Sequence, residues 1–278
     1  MAVIHFNYKS RAIGMDTNVT LILPTVTRED AAQGRTGYTK DEKFPVLWLL
    51  NSGGGDDIEY LGRSYVQQYA EEEKIAVVTL ASANSCYQDT MYGQQYFTML
   101  TEELPDLLYS RFPLSPRRCD NAVAGFSMGA AGASWAAARC PEKYGLCVTM
   151  SGMADGPEDI AFRMSTGEGQ SGTRGGPVLE HIYGPLDAIA GTEYDFNYVL
   201  EKSAKKDCGF PIFRMIRGSL DKKIAARMDK YAARLKELGA DVGPLEIVEG
   251  LAHESALVDI GIYKTLKCWM KEIPGFRS

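Results

Sequence analysis

The stretch Asn121-Ala122-Val123-Ala124-Gly125-Phe126-Ser127-Met128-Gly129-Ala130-Ala131-Gly132-Ala133-Ser134-Trp135-Ala136-Ala137-Ala138 decides how this chain is read. Gly125-Phe126-Ser127-Met128-Gly129 is a G-x-S-x-G motif, with the apolar run Ala122-Val123-Ala124 before it and small helix-forming residues after it. Strand, sharp turn at a serine and immediate helix are the context of a nucleophile elbow. The turn leaves no room for bulk near the serine, which accounts for a glycine at each end. The serine is expected in a strained backbone conformation, its Oγ projecting from the sheet edge. The helix behind it aims free N–H groups at any negative charge that develops there. The glycines could also belong to a dinucleotide fingerprint. However, Gly125, Gly129 and Gly132 do not fit G-x-G-x-x-G, and that motif belongs in a first βαβ unit, whereas at least three apolar strands precede this one. No G-x-x-x-x-G-K-[ST] phosphate loop occurs in the chain.

A length of 278 residues fits one α/β domain. An apolar share of 45% with 24% charged residues is ordinary for a soluble globular protein, and the core is large enough to need no disulfides. The net charge of −6, with no basic cluster, argues against a nucleic-acid partner. No apolar run of 18 residues exists, so no membrane span is expected. The N-terminal residues lack the basic start and long apolar core of a signal peptide, so the expected location is cytoplasmic. Cys86, Cys119, Cys140, Cys147, Cys208 and Cys268 are scattered, without a C-x-x-C pair, and read as free, mostly buried thiols of a reducing compartment. Glu71-Glu72-Glu73 reads as a solvated helix face.

Residues 3–8 and 19–23 read as an antiparallel entry hairpin, and 28–43 as a polar surface loop. Residues 45–50 form a continuous apolar run, as in a strand buried on both faces, that enters the glycine-rich turn Asn51-Ser52-Gly53-Gly54-Gly55. Helices are expected at 58–72, 96–111, 128–139, 222–238 and 257–271, and strands at 75–80, 121–127, 144–150, 210–218 and 245–248. This alternation predicts an α/β fold with a mostly parallel sheet covered on both faces, and ligands at the carboxyl ends of its strands. Residues 152–207 break the rhythm. Their length and the glycine-rich stretch 167–177 predict a lid inserted into a single domain of residues 1–278.

A serine hydroxyl is a poor nucleophile until a base takes its proton. The chain has three histidines. His5 lies in the first strand, far from the expected sheet mouth, and His181 lies in the insert. His253 follows the last strand, where an α/β-hydrolase places its base. The acid that orients the base should leave the preceding strand, and Asp221 stands there in Gly218-Ser219-Leu220-Asp221. Capping of the following helix is its competing role. Asp241 is the runner-up, at the wrong end of a strand. Ser127, Asp221 and His253 thus follow the nucleophile–acid–base order of this fold. The two oxyanion donors are expected to be the backbone N–H of Met128 and that of Gly53, in the turn after the third strand.

The chain resembles the esterase D family, and within it the tributyrin esterase-like branch. The resemblance rests on Leu49-Leu50-Asn51-Ser52-Gly53-Gly54-Gly55-Asp56-Asp57, on Glu102-Glu103-Leu104-Pro105, on the elbow block Gly125–Ala133, on Ser151-Gly152 and on Gly218-Ser219-Leu220-Asp221. Relatives carry His-Gly where Asn51-Ser52 stands here. Were the turn to require a left-handed residue at position 52, serine would cost roughly 1–2 kcal/mol. Relatives also often place Trp near the catalytic histidine, whereas here His253 is followed by Glu254-Ser255-Ala256-Leu257, which predicts a base without aromatic walls.

The resemblance implies the α/β-hydrolase fold and a serine carboxylesterase acting on short acyl esters, acetyl to butyryl, through an acyl-enzyme. It implies no metal and no organic cofactor. The expected partner is a small-molecule ester, with no nucleic acid and no membrane; a homo-oligomer is compatible with the sequence. Feruloyl or acetyl-xylan esters and S-formylglutathione are alternative substrates. Acyl transfer and a non-catalytic binding module are the readings from other classes.

Overall fold

The alternating N-terminal residues pair as an antiparallel hairpin, β1 (Ala2–Lys9) with β2 (Asp16–Leu23). The computed structural model describes residues 1–35, 37, 41–166 and 179–277. Six further strands follow: β3 (Val46–Leu50), β4 (Ala76–Leu80), β5 (Asn121–Phe126), β6 (Leu146–Met150), β7 (Ile212–Gly218) and β8 (Glu246–Val248). They form one eight-stranded sheet in the order β1-β2-β4-β3-β5-β6-β7-β8. β2 joins β4 antiparallel, and every pairing from β4 to β8 is parallel. This is the α/β-hydrolase arrangement, with β5 central and β8 at the edge.

Parallel neighbours need crossovers, and helices supply most of them. The described helices are α1 (Arg28–Ala32), α2 (Val66–Glu73), α3 (Tyr96–Thr98), α4 (Leu104–Arg111), α5 (Met128–Arg139), α6 (Pro157–Ser165), α7 (Leu179–Tyr183), α8 (Phe196–Ser203), α9 (Lys222–Glu237) and α10 (Ser255–Lys267). Successive strand residues point to opposite faces. In β3, Val46, Trp48 and Leu50 join the core beneath α4, α5, α8 and α9, with Trp135, Phe196 and Tyr231. Leu47 and Leu49 join the opposite core beneath α2 and α10, with Val66, Ala70, Leu257 and Ile262. Two covered faces explain why this strand is apolar without alternation.

Three expectations need correction. The segment read as a surface loop contains α1, started by a capping box in which Thr27 Oγ1 accepts from Asp30 N and Asp30 Oδ2 accepts from Thr27 N. The helix expected at 58–72 is broken after the short 3-10 turn Glu59–Leu61 and resumes as α2. The acidic run at its end is paired rather than simply solvated: Glu71 accepts from Thr25 N at 3.1 Å, and Glu73 bridges Lys267 at 3.2 Å and Lys271 at 2.8 Å.

Within 152–207, α6 and α7 share a small apolar cluster of Cys86, Ile160, Leu179, Ile182, Tyr183 and Ile189, against which Met128 packs. α8 instead enters the main core, its Phe196 ring edge-on to Trp135 with centroids 4.9 Å apart. The glycine-rich stretch 167–177 lies outside the described residues. All six cysteines are free. Cys86 and Cys147 are buried, but Cys208 and Cys268 are exposed, so burial is less general than the sequence suggested. Among the described residues no helix is long and apolar enough to cross a membrane.

Candidate active site

Ser127 stands between β5 and α5 with φ 56° and ψ −114°. Positive φ is uncommon outside glycine and must be held by its surroundings. Here Ser127 N donates to Met150 O on β6 at 2.9 Å, and Ala131 N donates to Ser127 O at 3.2 Å. A Cβ on Gly125 would strike the backbone of Gly129, and one on Gly129 would strike the Leu50 carbonyl. Both glycines of the motif are therefore demanded by backbone approach. Ser127 does not cap its own helix. Its Oγ lies 2.9 Å from His253 Nε2.

The loops after β7 and β8 are joined by their backbones. Ser219 N donates to Val248 O at 3.0 Å and Leu220 N to Leu251 O at 2.9 Å. That join brings Asp221 and His253 together, with Asp221 Oδ2 2.8 Å from His253 Nδ1. The Asp221 side chain is 5% exposed and that of His253 45%. Asp221 precedes α9 yet makes no capping bond, so its carboxylate is spent on the histidine. An ionised carboxylate at Nδ1 selects the tautomer that carries its proton there, leaving the Nε2 lone pair facing the serine hydroxyl. The chain of contacts can therefore draw a proton from Ser127 Oγ.

The other sequence candidates lie elsewhere. His5 Nδ1 sits 2.7 Å from Thr20 Oγ1 on β2. His181 is in α7 against the Tyr92 ring. Asp241 pairs with Arg214 at 3.1 Å, and its carbonyl accepts from Phe213 N near the start of β7, the end away from Asp221. His253 does have an aromatic wall, contrary to expectation. The Phe126 ring packs on the imidazole, with centroids 4.6 Å apart and planes 35° apart. It comes from inside the serine motif, a position read there only as a spacer.

Met128 is the first residue of α5, so its N–H has no partner four residues back. A Cβ on Gly53 would lie 4.0 Å from Met128 Cβ, which puts the two expected donor residues face to face. In this turn the left-handed residue is Gly54 (φ 76°), not Ser52, so the serine carries no such strain. Asn51 takes the structural place: its Nδ2 donates to Gly55 O at 2.9 Å and to Ser52 O at 2.9 Å, and its Oδ1 accepts from Ser82 Oγ and Tyr87 OH. Burial raises the phenol pKa values of Tyr87 and Tyr60. Both stay protonated donors, Tyr60 OH to Leu50 O at 2.6 Å.

Sequence reasoning missed two side chains that hold this turn. The buried Glu59 accepts from Ser52 N at 2.7 Å and from Ser52 Oγ, and pairs with Arg63 at 2.6 Å. Asn84 Oδ1 accepts from Gly54 N at 2.7 Å. Neither belongs to a motif, and only proximity in space reveals them. Among the described residues no group of three or more His, Cys, Asp or Glu is placed to hold a metal ion.

A serine–histidine–aspartate constellation on this sheet defines a serine hydrolase of the α/β-hydrolase fold. The profile of the Esterase family, described as "Putative esterase", matches residues 10–159, and the chain belongs to that family. An acetyl esterase of Caldicellulosiruptor saccharolyticus is 23% identical over 87% of this chain and 89% of its own length. Among solved structures, the fluorophosphonate-binding serine hydrolase FphF of Staphylococcus aureus, with substrate bound, is 28% identical with a TM-score of 0.80, covering 97% of this chain and 98% of that one. The S-formylglutathione hydrolase FrmB of Staphylococcus aureus, as apoenzyme, is 28% identical with a TM-score of 0.76 at the same coverage. The protein is a carboxylic ester hydrolase of the serine type.

Proposed function

We propose that Ser127 is the nucleophile, His253 the general base and then acid, and Asp221 the group that orients and charge-balances His253. The observation that carries this is the unbroken path from Ser127 Oγ to Nε2 at 2.9 Å and from Nδ1 to Asp221 Oδ2 at 2.8 Å. Ser127 Oγ attacks the ester carbonyl while Nε2 takes its proton. The carbonyl oxygen becomes an oxyanion between the N–H groups of Met128 and Gly53. The C–O bond to the alcohol then breaks, and Nε2 returns its proton to the leaving oxygen. Water, activated by the same imidazole, releases the acid and restores the serine.

The substrates are short acyl esters, as in the tributyrin esterase-like branch. The acetyl esterase relative favours a small acyl group. So does the cluster of Cys86, Ile182, Tyr183 and Ile189 that packs on Met128 beside the nucleophile. The part of 152–207 that acts as a lid is the region of α6 and α7. A second reading, hydrolysis of the thioester S-formylglutathione, is favoured by the likeness to FrmB.

Ser127→Ala should abolish both fluorophosphonate labelling and p-nitrophenyl acetate turnover, lowering the latter roughly 10⁴-fold or more. His253→Ala should cost nearly as much, and His181→Ala little. Full turnover by Ser127→Ala would refute the proposal. Acyl lengths from acetyl to octanoyl, run beside S-formylglutathione, separate the two substrate readings.

A further inference from the structure

The turn that carries Gly53 has three glycines in a row, Gly53-Gly54-Gly55. Such a backbone has little stiffness of its own. Stiffness has to be imported, and the loop after β4 supplies it. That loop holds four non-glycine residues at positive φ: Ala83 (46°), Asn84 (59°), Cys86 (53°) and Tyr87 (57°). Such residues persist only where contacts hold them.

The loop grips the glycine turn at two points. At the buried end, Ser82 Oγ donates to Asn51 Oδ1 at 3.1 Å, and Tyr87 OH donates to the same oxygen at 2.5 Å. At the open end, Asn84 Oδ1 accepts from Gly54 N at 2.7 Å and lies 3.7 Å from where a Cβ on Gly53 would stand. The N–H of Gly54 belongs to the peptide plane that follows Gly53. The Gly53 N–H itself lies in the preceding Ser52–Gly53 plane, whose carbonyl accepts from Asn51 Nδ2 at 2.9 Å. With Asn84 holding the following plane, both planes flanking Gly53 are fixed, and the direction of its N–H with them.

We infer that Asn84 is the positioning residue of the oxyanion turn: its Oδ1 locks the Gly53–Gly54 peptide so that Gly53 N–H points where the tetrahedral oxyanion forms. The inference rests on the assignment of Ser127 as nucleophile and Gly53 as donor. A pre-aimed donor acts chiefly in the transition state, so losing its aim lowers kcat more than it raises KM.

The test is Asn84→Gly, which keeps the left-handed backbone and removes the Oδ1 acceptor together with the rest of the side chain. Asn84→Ser, whose shorter oxygen does not reach Gly54 N, serves as a second variant. For p-nitrophenyl acetate, both should lose kcat by about tenfold or more, a part of the roughly 10²–10³ that removal of an oxyanion donor costs. KM should stay within about twofold, and thermal unfolding should remain cooperative with a midpoint near that of the parent. Ser127→Ala is assayed alongside. Wild-type kcat in Asn84→Gly while Ser127→Ala is dead overturns the role of Asn84 and leaves the serine reading standing. A matching rise in KM with unchanged kcat overturns it too, since that is a binding effect. Full activity in Ser127→Ala removes the serine reading and this inference with it.

Discussion

The Phe126 ring lies on the imidazole of His253 with 4.6 Å between centroids, so the residue before the proposed nucleophile is also a wall for its proposed base. This contact limits how far the ring can swing away from Ser127 Oγ. Phe126→Leu keeps most of the buried volume but removes the flat face. The expected result is a roughly tenfold fall in kcat/KM for p-nitrophenyl acetate, because small misplacements of reacting groups are costly. The stability loss in urea should stay below about 1.5 kcal/mol. Unchanged kcat/KM would mean the ring only fills space.

Asp221→Asn tests the tautomer. The carboxamide can offer its N–H to Nδ1, which then shifts the imidazole proton to Nε2, facing the serine. A loss of roughly 10³–10⁴ in kcat is expected with the fold intact. Asp241→Asn should behave like the parent, because that carboxylate serves Arg214 near the opposite end of β7.

Glu59→Gln tests the second anchor of the turn that carries Gly53, the proposed oxyanion donor. The amide retains one acceptor for Ser52 but loses the charge that meets Arg63. Arg63 is 49% exposed, so water replaces much of that pairing. A cost of about 1–3 kcal/mol in denaturant stability is expected, with a fall in kcat that accompanies the loosened turn. A stability equal to the parent's would show the carboxylate to be dispensable.

Burial raises the phenol pKa of Tyr8 and Tyr109 to about 12, and those of Tyr60, Tyr87, Tyr144, Tyr183 and Tyr231 rise as well. An unfolded tyrosine ionises near 10. Below about pH 10 both states hold the phenol proton, and the stabilisation is fully present. Above it the unfolded state releases protons first, so stability falls as pH climbs towards the raised folded values. Alkaline unfolding should therefore begin above about pH 10, with buried phenolate absorbance at 295 nm rising in step with loss of far-UV circular dichroism. Phenolate from the buried rings appearing with the helices intact would count against it.

The residues proposed to react were legible because each has a local mark. Ser127 sits in a motif whose glycines answer to backbone collisions. Asp221 and His253 each follow the end of a strand, and strand ends can be read from apolar runs. The supports were not legible. Glu59 looks like one more acid on a helix, and Asn84 like one more loop residue, until the turn folds back onto them. The short helix α1 carried a readable signal, Thr27 followed three residues on by Asp30, but its polar surroundings resembled a loop. The break before α2 follows from Gly62 and the polar residues beside it, too weak a stop to read without the packing around it.

Ser127 hangs from β5 in the middle of the sheet, whereas His253 follows β8, a strand of three residues on its margin. Marginal, short pieces of a sheet loosen at lower cost than central ones. Warming should therefore detach His253, the proposed proton acceptor, while most of the architecture survives, and activity should be lost before the fold melts. Durability is to be gained by strapping down that border, not by filling the interior.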